Sequence, residues 1–111
     1  MIPQNVDWEK IEWRTIRPGI ERKAFTGERA TVALHRISPG HTLSPHSHPH
    51  EQIVYILEGV VDFHIGETVL RLAPGGLAVI PPNVMHHAVL VGDRPALNLD
   101  IFAPARPDYV A

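Results

Sequence analysis

The stretch "PHSHPHEQIVYILEG", residues 45–59, packs His46, His48 and His50 into five positions and then runs directly into an apolar segment of strand composition. In extended backbone, side chains two apart share a face. The prolines at 45 and 49 favour extension over helix, so His46 and His48 point the same way. If the register carries across the turn, Gln52 joins that face with Val54 and Ile56 behind it, and Ile53, Tyr55 and Leu57 make the opposite face. A second cluster, "PPNVMHH" at residues 81–87, opens a later apolar segment. A metal site needs three or four ligands converging from different strands, and imidazole is the commonest of them. These two clusters supply such ligands. His50 and His87 lie beside the pattern, while His35, His41 and His64 read as ordinary strand or loop histidines.

Outward from this core the texture is the same. Alternating or apolar segments at 19–25, 30–37, 52–57, 60–65, 68–72, 77–80, 86–91 and 96–102 are separated by Pro, Gly, Asn and Asp. Eleven prolines and eight glycines leave no room for long helices, and only "VDWEKIEW" is a candidate helical turn. Short strands at this spacing predict an all-β, antiparallel sandwich or barrel. With 111 residues there is no second core, so residues 1–111 are expected to form a single domain. Because "QIVYIL" is apolar on both faces, the second face must meet another sheet or a partner subunit, and a homodimer is expected.

Several classes of function are excluded on this reading. A net charge of −2 without a basic block argues against nucleic acid. The lack of cysteine rules out disulfides, thiolate chemistry and Cys-based zinc sites. No apolar run approaches a membrane span. The opening "MIPQNVDWEKIEW" has neither the basic nor the apolar region of a signal peptide, so the expected location is cytoplasmic.

In the closing segment "ALNLDIFAPARPDYV", residues 96–110, Leu97, Leu99 and Ile101 make one face and Asn98, Asp100 and Phe102 the other. Asp100 either meets water at a rim or points into the metal's cavity, where it would be a general acid/base. Arg106 is either a solvated tail residue or a planar fork for an anionic group.

These residues carry a resemblance. Gly40, five residues, His46 and His48, three residues, Gln52, six residues and Gly59 resemble the first cupin motif. Gly75, five residues, Pro81-Pro82-Asn83, two residues and His86 resemble the second. The two motifs span residues 40–90. The resemblance implies an antiparallel cupin (jelly-roll) β-barrel. It also implies one divalent transition metal ion (Zn, Ni, Fe, Mn or Co) on His46, His48, Gln52 and His86. Gln52 stands where cupins usually have glutamate, Asn83 replaces a glycine and Leu90 an asparagine. A neutral amide leaves the ion a formal +2, which favours polarising an oxygen over reaching a higher oxidation state.

Together with the terminal "DIFAPARPDYV", the motifs are similar to those of the small KdgF-type cupins, which ketonise 4,5-unsaturated uronates in pectin and alginate breakdown. That similarity implies a non-redox isomerase with a small anionic or sugar-like substrate. Asp100 would shuttle the proton, Phe102 pack on the sugar carbons and Arg106 hold the carboxylate. A small iron-dependent dioxygenase and a non-catalytic ligand-binding module are the alternatives.

Overall fold

Every element anticipated from the alternation is a strand in the computed structural model, which describes residues 3–109. The strands are β1 (Arg14–Arg17), β2 (Ile20–Thr26), β3 (Thr31–Ile37), β4 (Glu51–Glu58), β5 (Val61–Ile65), β6 (Thr68–Leu72), β7 (Leu77–Ile80), β8 (His86–Leu90) and β9 (Ala96–Ala103). The "VDWEKIEW" segment contributes one 3-10 turn, Trp8–Lys10, capped by the Asp7 carboxylate. A second 3-10 turn covers Pro107–Tyr109. Strand β1 was not anticipated. Among the described residues no helix is long and apolar enough to cross a membrane.

Two antiparallel sheets face each other. One has the order β1-β2-β3-β9-β4-β7 and the other β6-β5-β8. The alternation follows the pleat: Gln52, Val54 and Ile56 of β4 point inward, as do Val61, Phe63 and Ile65 of β5. The main core joins Ile20, Ile37, Val54, Ile56, Phe63 and Ile80, among others, across the two sheets. Val54, Ile56, Val61 and Ile80 are wholly buried, each worth about 1.5–3 kcal/mol of removed apolar surface. A smaller cluster of Ala24, Ala33 and Phe102 lies under Tyr109.

Strand β9 turns Leu97, Leu99 and Ile101 outward and carries two polar residues on its inward face. Asn98, Asp100 and Phe102 are buried, while Ile101 is exposed. Register aligns Ile53 with Val79 and Ile101, and Tyr55 with Leu77 and Leu99. The result is an apolar strip on the outer face of the larger sheet, with Leu77 63% and Val79 53% exposed.

Two turns need their particular residues. Gly59 sits at φ +80°, where an added Cβ would lie 2.7 Å from Ala96 Cα. Asn83 takes φ 65°, in the left-handed region that asparagine tolerates in place of the second motif's glycine.

Candidate metal centre

The two histidine segments are stitched to each other by their backbones. His46 and His86 exchange N–H···O bonds of 3.0 and 2.8 Å, and the Asn83 N–H donates to the His48 carbonyl at 2.8 Å. This brings His46, His48 and His86 together, with candidate ligand atoms all within 4.8 Å of one another.

The backbone also fixes which nitrogen of each ring faces inward. Nδ1 of His46 lies 2.6 Å from the Ser44 carbonyl, that of His48 3.0 Å from His50, and that of His86 2.9 Å from Val84. A carbonyl only accepts, so each Nδ1 carries the proton and each Nε2 presents a lone pair. The His86 Nε2 is buried with no partner, a state that a buried polar atom rarely keeps without an ion or water. Burial pushes His46 and His86 below the usual histidine range, so both are neutral ligands at pH 7.

Gln52 lies beside this group. Its amide nitrogen donates to Asp100 Oδ1 at 2.9 Å, which leaves Oε1 facing His48 Nε2 at 3.1 Å. Two lone pairs thus face each other with no proton between them, an arrangement that a shared cation relieves. Three neutral imidazoles and an amide oxygen fit a divalent transition ion.

Beside these donors lies a cavity open to solvent, whose walls include His46, Gln52, His86, Asp100 and Phe102. Polar groups converge there on an otherwise largely apolar lining, the usual character of a small-molecule site. Asp100 is 1% exposed and accepts from Gln52 Nε2 at 2.9 Å, Asn98 Nδ2 at 2.6 Å and His35 Nδ1 at 2.5 Å. A carboxylate offers about four acceptor positions, so one remains. Of the two placements open to Asp100 in the sequence, rim or cavity, it takes the cavity. Phe102 forms the adjoining wall, 1% exposed, its ring 5.6 Å from that of His48.

Arg106 is placed differently. It is not among the cavity-lining residues: Nη1 donates to the Tyr109 hydroxyl at 2.9 Å, and Nη2 pairs with Asp108 at 3.2 Å. The guanidinium Cζ lies 5.0 Å from the Phe102 ring centroid, behind the wall. His35, read from sequence as an ordinary strand histidine, is instead Asp100's ring partner and lines the cavity. It reaches Asp100 because β3 pairs with β9, aligning His35 with Asn98. No local motif signals a pairing between strands so far apart in the chain. Arg22 of β2 lines the cavity too and was not singled out. His50 supplies the carbonyl that orients His48, and His87 stacks on His64 with centroids 4.4 Å apart.

Comparison with known proteins agrees with this geometry. The profile described as "Cupin domain" matches residues 33–102. Polyketide synthase CurC of Streptomyces cyaneus is 32% identical over 114 residues, covering 96% of this chain and 73% of that protein. A gentisate 1,2-dioxygenase from Haloferax sp. is 33% identical over 72 residues, which is 57% of this chain and 20% of that protein. KdgF from Halomonas sp. superposes with a TM-score of 0.87 at 28% identity, covering 96% of this chain and 98% of its own.

Proposed function

The chain belongs to the cupin family, and on that premise we propose that it is a metal-dependent, non-redox isomerase that opens and ketonises a 4,5-unsaturated uronate or a similar small enol acid. The observation that carries the reading is the adjacency of two unlike sets of groups in one cavity. Neutral metal donors, His46, His48, His86 and Gln52, stand next to a buried carboxylate with one acceptor position spare. The likeness to KdgF over nearly the whole chain supports the same substrate class.

A divalent ion on those four residues supplies a Lewis acid for charge developing on a substrate oxygen. The chain's own residues do the rest. Ring opening releases the proton of the C1 hydroxyl as the bond between C1 and the ring oxygen breaks, and ketonisation adds a proton at C4. One carboxylate that takes the first proton and returns the second balances the isomerisation without a co-reactant. Asp100 fills that role. The amides of Gln52 and Asn98 and the His35 ring hold its plane fixed. Phe102 offers an apolar wall to the sugar carbons and excludes water from one side. Arg106 braces Tyr109 behind that wall.

The proposal includes a homodimer formed through the outer strip of Ile53, Leu77, Val79 and Ile101, which a two-fold axis would cover with its own copy. It also includes a cytoplasmic location, which rests on the sequence alone.

The test is loss of the absorbance of 4,5-unsaturated galacturonate, followed on protein of known metal content with and without chelator. Metal-dependent acceleration over the spontaneous rate, with most turnover lost in Asp100→Asn at unchanged metal content, is the expected result. Absence of acceleration by metal-replete protein would remove the isomerase reading. Oxygen uptake by the iron-loaded form would then identify a dioxygenase, and ligand-induced stabilisation without product a binding module.

A further inference from the structure

We propose that Arg22 is the anion anchor of the cavity, taking the carboxylate of a bound small acid on the β2–β3 wall, three strands along the sheet from Gln52. The identity of the acid rests on the isomerase reading; the anchor itself does not.

Register puts the side chain inside. Arg22 pairs with His35 across β2 and β3, and His35 pairs with Asn98 across β3 and β9. Residues directly opposite in neighbouring strands share a face, so Arg22 shares the inner face with two groups that reach Asp100. It lines the same cavity as His46, Gln52 and His86.

The charge has no carboxylate within ion-pair distance. Among the described residues, Arg36 pairs with Glu21, Arg71 with Asp62, Arg106 with Asp108 and His35 with Asp100; Arg22 pairs with no carboxylate. The one carboxylate in the cavity wall, Asp100, already accepts from Gln52, Asn98 and His35. Half-burying a guanidinium without a directly paired counter-charge is unfavourable; here burial opposes its positive charge and Arg106 adds to that, while Tyr109 and Asp108, the latter beyond ion-pair reach, offset only part of it. An arrangement that keeps this cost is accounted for if the counter-charge arrives with the ligand.

The guanidinium is also held ready. Its Cζ lies 3.6 Å from the Tyr109 ring centroid, a cation–π contact that holds the guanidinium over the ring face. Arg106 lies against the same ring at 4.0 Å, but its terminal nitrogens are committed to the Tyr109 hydroxyl and to Asp108. Of the two arginines on this ring, Arg22 is the one that faces the cavity without an acidic partner. A planar fork matches a carboxylate by two parallel N–H···O bonds.

The experiment measures binding of D-galacturonate and its methyl ester to metal-replete protein by calorimetry. Neither is unsaturated, so neither reacts. Wild type should prefer the acid, and Arg22→Gln should lose about 10–100-fold in acid affinity with ester affinity and metal content unchanged. Arg22→Lys, which keeps the charge but not the fork, should fall between and serves if the glutamine variant does not fold. Equal affinity of wild type for acid and ester would overturn the proposal. So would an acid preference retained in both Arg22 variants, or one lost in Arg106→Gln while Arg22→Gln keeps it. Turnover of the unsaturated uronate is assayed separately: an Arg22-dependent acid preference without turnover sinks the isomerase reading and leaves the anchor standing.

Discussion

Gln52→Glu, which restores the glutamate usual in cupins, is expected to destabilise this protein when metal-free, and in a pH-dependent way. The Gln52 amide donates to Asp100 Oδ1 at 2.9 Å; in the variant that contact becomes oxygen against oxygen. Two ionised carboxylates about 3 Å apart repel by about 5–6 kcal/mol at an effective dielectric constant of 20. Holding one proton between them is cheaper. Protonating a carboxyl of ordinary pKa near 4.3 at pH 7 costs about 3.7 kcal/mol, so the expected loss is about 3–4 kcal/mol, or roughly 15–25 °C in Tm. The folded variant then binds a proton that its unfolded chain releases, so its deficit shrinks as pH falls from about 7 towards 5. Divalent metal should narrow the gap as well, because its charge holds the new carboxylate ionised. Thermal melts of both metal-free proteins across that pH range decide the matter. A deficit that does not change with pH, or none, would refute the coupling of Gln52 to Asp100.

Three further outcomes follow from the geometry. Burial lowers the pKa of His86, so below about pH 6.5 the unfolded chain binds more protons than the folded one; the metal-free Tm should be flat above that pH and fall below it, and a Tm that rises on acidification would contradict this. Gly59→Ala should cost more than Gly75→Ala in urea denaturation, because both have positive φ but only Gly59 has a neighbour, Ala96 Cα, 2.7 Å from the added Cβ; the shared backbone strain is about 1–2 kcal/mol, and equal costs would show that the close approach is relieved freely. Val79→Lys should shift sedimentation from dimer to monomer without altering metal content, since Val79 lies on the outer strip; an unchanged dimer would move the interface elsewhere.

Most strands and the histidine grouping were legible because both are local. Alternation sets which of Gln52, Val54 and Ile56 point inward, and the spacing of His46, His48 and His86 survives folding because one backbone pairing joins the two segments. What escaped the sequence is non-local or unpatterned. Strand β1, "RTIR", is exposed along most of its length and is held by pairing to β2 through a bulge rather than by an apolar face. His35 and Arg22 matter only through the alignment of β2, β3 and β9. Arg106 stands beside Phe102 as its position suggests, but the Pro107–Tyr109 turn presents the Tyr109 hydroxyl and Asp108 to it. The inward polar face of β9 reverses the usual rule that alternating apolar residues mark the inside. In this strand Asn98 and Asp100 line the site beside Phe102, while Leu97, Leu99 and Ile101 face out.

Strand β9 lies between β3 and β4, although it is the last strand in the chain. During synthesis, β3 and β4 must therefore emerge and wait, each with an open hydrogen-bonding edge, until some forty residues after β4 the strand that joins them leaves the ribosome. Unpaired edges are where chains misassociate. The histidines precede that strand, whereas Asp100 and Phe102 arrive on it. All three imidazoles are thus synthesised before the carboxylate. Closure of the sheet and arrival of Asp100 beside the histidines are therefore one and the same step.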